Sequence, residues 1–171
     1  KGLLIPQLQV ILGEPKRSVD LVSPYFVPTA AGVDAFARLV QQGVRVRVLT
    51  NALEATDVAV VHAGYAKRRE ALLRAGVTLF ELKDPVEDHE PDKRVGPFGS
   101  SGSSLHAKTF AIDGERVFVG SFNFDPRSMN LNTELGFVIE SPALAFEVAD
   151  AFESTIPFNA YEVKLSEEGR L

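Results

Sequence analysis

An α/β fold, with a mixed, largely parallel β-sheet flanked by helices, is predicted by three features of this sequence. The first half alternates between strand-like and helix-like periods. Three further strands follow, two of them joined by an Asp-Gly hairpin signal. A last amphipathic stretch opens on proline. Such β-α-β-α-β order implies parallel strands covered by helices, with right-handed crossovers.

Val19 to Val22 is a short apolar run that breaks at Ser23-Pro24. Ala30 to Gly43 places Val33, Phe36, Ala37 and Val40 at helical spacing, with Gly43 as its stop. Val44 to Asn51 (VRVRVLTN) alternates with period two and reads as a strand with one polar face. Ala55 to Gly76 is a second helix, with Thr56 or Asp57 as its cap, and Val77 to Lys83 a third strand. Asp84 to Ser104 has no period and is rich in Pro, Gly, Ser and charge, so it reads as a long loop leading into His106. Leu105 to Ile112, Arg116 to Gly120 and Glu134 to Glu140 are strands, and Asp113-Gly114 is the turn between the first two. Pro142 opens a helix to about Thr155. Tyr161 to Leu165 is a strand that ends in a Glu-Glu-Gly turn. Leu4, Leu8, Ile11 and Leu12 suit a short docking helix at the start.

Composition narrows the function. The 171 residues suit one domain, or half of a larger protein. With no cysteine there is neither a disulfide nor thiolate chemistry. The net charge of -5 argues against an extended nucleic-acid face, and against adhesion to anionic lipid by charge alone. A local basic pocket is compatible with it. No apolar run reaches the length of a membrane span.

The chemistry concentrates in LHAKTFAID (Leu105 to Asp113) and GSFNFD (Gly120 to Asp125). His106 and Lys108 share one face of a strand, because side chains alternate. An imidazole and an ammonium side by side suit an anionic partner. Lys108 offers a charge and Asn123 amide donors to phosphate oxygens; Ser121 adds a hydroxyl. The Gly120-Ser121 turn is expected to offer backbone N–H groups as well. A neutral imidazole attacks phosphorus well when its second nitrogen is held by an acceptor, and Glu134 is placed to be that acceptor. The spacing of His, Asp and Glu matches no metal motif, and no cofactor is called for. Asp113 reads as turn chemistry. Phe122 and Phe124, alternating with Ser121 and Asn123, read as core.

His106-x-Lys108-x4-Asp113-x6-Gly120-Ser121-x-Asn123 resembles the HKD motif of the phospholipase D superfamily, with Glu134 at the position of its acidic partner. SPYFVP (Ser23 to Pro28), Gly43 to Lys83 and Ser121 to Glu140 are similar to the C-terminal half of bacterial cardiolipin synthases of the C type. The resemblance covers nearly the whole chain. It implies a phospholipase D-like α-β-α sandwich and metal-independent phosphodiester transfer through a phosphohistidine. The substrates implied are phospholipids, met by a bacterial protein peripheral to the membrane, with cardiolipin as the product. Lys108, Ser121 and Asn123 then bind phosphate. The implied role of His106 is general acid/base, since the N-terminal histidine of such pairs is usually the nucleophile. His62 and Tyr25 become candidate contacts to substrate or partner.

The family uses two such motifs facing each other. This chain has one, because neither His62 nor His89 is followed by lysine two residues on. Residues 1–171 therefore read as one catalytic half-domain of a longer two-motif protein, or as half of a homodimer. Two other readings stand beside this: a phosphodiesterase or nuclease of the same superfamily, and a non-catalytic half used for dimerisation or regulation. The retained His-Lys-Asn-Glu set argues against the second.

Overall fold

The computed structural model describes residues 13–56, 59–83, 105–126, 134–169 and 171. Seven strands form one sheet in the order β6-β5-β4-β1-β2-β3-β7. They are β1 (Ser18–Val22), β2 (Arg45–Asn51), β3 (Thr78–Leu82), β4 (Thr109–Ile112), β5 (Arg116–Gly120), β6 (Gly136–Glu140) and β7 (Ala160–Val163). The helices are α1 (Ala30–Gln41), α2 (Ala59–Arg74), α3 (Pro142–Ser154) and a short α4 (Ile156–Asn159). The expected α/β class and mixed sheet are present. Parallel pairing is confined to β1–β2 and β2–β3; the ladders β1–β4, β4–β5, β5–β6 and β3–β7 are antiparallel.

The sheet is covered on both faces. On one, Val19, Leu21, Val46 and Val48 pack with Phe36 of α1 and with Tyr65 and Leu72 of α2. On the other, Val22, Leu49 and Phe80 pack with Ala145, Val148 and Phe152 of α3 and Ile156 of α4. Thr29 caps α1, its hydroxyl accepting from the Gly32 N–H at 3.2 Å, and Ser141 caps α3 in the same way at 3.3 Å.

Several expectations are corrected. The expected polar face of β2 is present but buried, as is every residue from Val46 to Asn51. Arg47 lies opposite Asp20 in the ladder, and its Nε donates to Asp20 Oδ1 at 2.6 Å. The polar face is thus an internal ion pair beneath α3, where Glu153 also meets Arg47. The second helix begins at Ala59, after a turn in which the Ala55 N–H donates to the Ala52 carbonyl. The strand expected from Leu105 starts only at Thr109. The four-residue α4 is too short to carry a periodic signal and was not expected. The docking helix, Asp57, the loop from Asp84 to Ser104 and His89 lie outside the described residues.

Candidate active site

The site assembles at the carboxyl ends of β1 and β2, where β4 enters the sheet running the opposite way. The pairing Thr109↔Val119 sets Lys108 opposite Gly120, and the Gly120 N–H donates to the Lys108 carbonyl at 3.2 Å. That register brings the two sequence runs together. The turn joining β4 and β5 is tight: Asp113 (φ 57) and Gly114 (φ 67) are both left-handed, and the Glu115 N–H donates to the Ile112 carbonyl at 3.0 Å.

His106 is exposed, whereas Lys108 is buried with 7 % of its surface accessible. Lys108 Nζ donates to the His106 carbonyl at 2.9 Å, which folds the ammonium back beside the imidazole's own backbone. Burial pulls the Lys108 pKa below the ordinary lysine value, and the Glu134 carboxylate nearby opposes that shift.

Glu134 does not meet the ring of His106 as expected; among the described residues its partner is the Ser121 hydroxyl, which donates to Glu134 Oε2 at 2.5 Å. The same hydroxyl accepts from the Leu135 N–H at 3.0 Å. Ser121 is therefore committed to positioning the Glu134–Leu135 segment. Nor are the Gly120 and Ser121 amides free for an anion: Gly120 serves the β4 ladder, and Ser121 donates to the Leu135 carbonyl at 2.8 Å. Period-two reasoning cannot show which ladder consumes these groups. Gly120 is required by closeness, since a Cβ there would lie 2.5 Å from the Leu135 carbonyl oxygen.

Asn123 lies between Phe122 and Phe124, which are buried as expected. Among the described residues its Oδ1 is buried without a hydrogen-bond partner. Its backbone is held by β1's exit. Phe26 bridges to Phe124, the Val27 N–H donates to the Phe124 carbonyl at 2.7 Å, and the Phe124 N–H donates to Ser23 Oγ at 3.2 Å. Asn51 does the same for the other run: its side-chain amide pairs both ways with the Leu105 backbone, next to His106. The sequence reading missed Ser23 and Asn51 as positioning residues. Each is a single polar residue at a strand end, and the only signal is that both are buried in the fold.

Asp113 stays away from this group, at the far end of β4. It accepts from the backbone N–H groups of Lys16, Arg17 and Ser18 at 2.7 to 3.0 Å. Burial alone would raise its pKa; the three amides and the Arg17 charge outweigh that and hold it below the usual carboxylate value. Tyr25 is half-buried beside the Ser23 hydroxyl, which donates to its carbonyl. His62 is buried on α2 and lines a small pocket with Pro24, Phe26 and Asn51. Among the described residues, no group of His, Asp and Glu side chains is placed to hold a metal ion, and no helix is long and apolar enough to cross a membrane.

In this three-layer α/β domain the runs that carry His106 and Lys108, and Ser121 and Asn123, flank the β4–β5 pair at the carboxyl end of the parallel strands. The chain belongs to the family described as cardiolipin synthase, PLD-like domain, whose model matches residues 8–156. It is 53% identical over 169 residues to cardiolipin synthase C of Escherichia coli K12, covering 98% of this chain and 36% of that protein. The chain thus spans little more than a third of this relative's length. In fold it resembles the phospholipase D family member Nuc from Salmonella typhimurium (TM-score 0.65, 18% identity, 94% of this chain and 90% of that one). It also resembles phosphatidylserine synthase from Haemophilus influenzae (TM-score 0.65, 15% identity, 92% and 36%).

Proposed function

We propose that this chain is one half of a phosphatidyltransferase that makes cardiolipin through a phosphohistidine. The single observation that carries the reading is that the two motif runs lie side by side, the Gly120 N–H donating to the carbonyl of the buried Lys108, in a chain of the cardiolipin synthase family. In the reaction one histidine attacks phosphorus and forms a P–N bond as the donor's P–O bond breaks; the leaving oxygen takes a proton from the second histidine. The acceptor hydroxyl then returns its proton to that second histidine and displaces the first. Lys108 and Asn123 stabilise the charge on the oxygens of five-coordinate phosphorus. His106 takes the acid/base role. Glu134, held by Ser121, sits close enough to Lys108 to tune its charge.

The attacking histidine belongs to a second motif, in the same polypeptide or in another copy. Sheet geometry supports a covered edge. β6 ends the sheet and all five of its residues are exposed, among them Phe137 at 64 % and Ile139 at 38 %. Their register partners, Val119 and Val117, put both on the α3 face, where Phe146 is exposed as well. An unpaired apolar edge strand of this kind calls for a partner. The resulting enzyme works at the membrane surface as a peripheral protein on phospholipid.

The test is to incubate the complete two-motif protein with phosphatidylglycerol vesicles in EDTA. Cardiolipin should form, and His106→Ala should lower its rate by at least 1,000-fold, on the scale of losing a general acid/base. Loss of activity in EDTA would count against a histidine mechanism without metal. Cleavage of single-stranded DNA with no action on lipid would replace this reading with that of a nuclease.

A further inference from the structure

The pocket beside the half-site has a polar group that nothing in the fold uses. His62 is 8 % exposed, and its Nδ1 is buried with no hydrogen-bond partner among the described residues. Leaving such an atom unpaired costs about 1–3 kcal/mol, so an orphan on a residue that lines a pocket points to a ligand. The imidazole is held edge-on against the Tyr65 ring, with centroids 5.6 Å apart. Helix α2 is seated tightly there, because Gly64 brings it so near Val27 that a Cβ would lie 2.8 Å from Val27 Cγ1.

The pocket adjoins both catalytic runs. Asn51 lines it and also clamps Leu105, next to His106; Phe26 lines it and also bridges to Phe124, next to Asn123. Its chemistry is neutral. Among the described residues the polar side chains on its wall are Thr50, Asn51, Thr56, His62 and Tyr65, none of them a carboxylate or an ammonium. A hydroxyl, which both donates and accepts, suits an imidazole of either tautomer.

We propose that this pocket, which has room for one water-sized group, is the hydroxyl end of the acceptor subsite, and that His62 Nδ1 recognises a hydroxyl of a polyol headgroup such as glycerol. This deepens the functional reading above and rests on it. His62 is then a specificity-determining residue that places the acceptor alcohol ahead of water at the phosphohistidine.

The decisive readout is the partition between transfer and hydrolysis. With phosphatidylglycerol vesicles, transfer yields cardiolipin and hydrolysis yields phosphatidic acid. In the complete protein His62→Phe should lower the cardiolipin to phosphatidic acid ratio about tenfold, the scale of one lost hydrogen bond. Lipid turnover should stay well above that of His106→Ala. His62→Asn, whose amide reaches the Nδ1 position, should recover much of the ratio; His62→Gln, which reaches only the Nε2 position, should not. Should His62→Phe fail to fold, as read by its thermal melt, the Asn and Gln pair carries the test. A wild-type ratio in all the folded variants overturns the subsite. A wild-type protein that makes neither product overturns the functional reading, and the subsite with it.

Discussion

The Ser121 hydroxyl donates its proton to Glu134 while accepting from the Leu135 N–H, so one side chain fixes both the carboxylate and the strand entrance behind it. A motif serine that would be expected to face phosphate instead holds an acid in place. Ser121→Ala should therefore act through Glu134. We expect kcat to fall about tenfold with little change in KM for lipid, because a hydrogen bond to a charged group contributes about 1.5–3 kcal/mol and Ser121 is solvent-exposed. Ser121→Ala combined with Glu134→Gln should be no worse than Glu134→Gln alone. Additive losses would show that Ser121 acts independently.

Asp113 ties the end of β4, the strand that follows His106 and Lys108, to the start of β1, through three backbone amides. Asp113→Asn keeps a residue tolerant of the left-handed φ of 57 and one acceptor oxygen, and removes the charge and the Oδ2 acceptor. The folded-state pKa is depressed, so this carboxylate stabilises the fold above its unfolded value of 3.8, and the contribution is lost as pH falls through the folded value. Urea melts at pH 7 should show Asp113→Asn less stable by about 1 kcal/mol, discounted for partial exposure. The gap should close as the melts are repeated below pH 4. A gap that persists in acid would place the effect in the backbone and not in the charge.

What the sequence made legible follows from range. Period and turn chemistry act over a few residues, so α1, α3, β3 and the Asp113-Gly114 hairpin could be read directly. The motif with His106, Lys108 and Asn123 was legible because its residue types and spacing are specific. Pairings between distant residues were not. Alternation put Arg47 on a polar face but could not show that Asp20, on the neighbouring strand, meets it. Ser23 and Phe124 are 101 residues apart, and nothing local in either predicts that one holds the other. The amides of Gly120 and Ser121 looked available because alternation says nothing about which ladder claims them.

The Arg47–Asp20 pair lies under α3 with side-chain exposures of only 7% and 2%. Burial disfavours the Arg47 charge, but Asp20 and Glu153 more than compensate and raise its pKa. Removing one partner should be costly, because the other charge stays buried. Asp20→Ala should lose about 3 kcal/mol in chemical denaturation, at the low end for a broken buried pair, since Glu153 still reaches the guanidinium. The double variant Asp20→Leu with Arg47→Met should recover most of that loss. If it is as unstable as Asp20→Ala, packing around β2 and not charge sets the cost.

Lys108 presents the opposite balance. It is a buried ammonium whose side chain, among the described residues, bonds the carbonyl of His106, and burial lowers its pKa. A lysine whose folded-state pKa is lowered binds its proton less readily than in the unfolded chain, so its charge costs stability below that pKa and the cost fades as pH rises. Catalysis needs the charged form, so the activity should decline on the alkaline side before the ordinary lysine value of 10.5 is reached. Lys108→Met should separate the two roles. Its kcat/KM should fall by at least 1,000-fold, through loss of the phosphate-binding charge. Its stability at pH 7 should be equal to or above that of the wild type, because an apolar side chain replaces a buried cation. A kcat/KM pH profile and a pair of urea melts check both. A Lys108→Met protein destabilised by more than about 1 kcal/mol would assign the lysine to the fold, since hydrogen bonding to the His106 carbonyl would then outweigh desolvation.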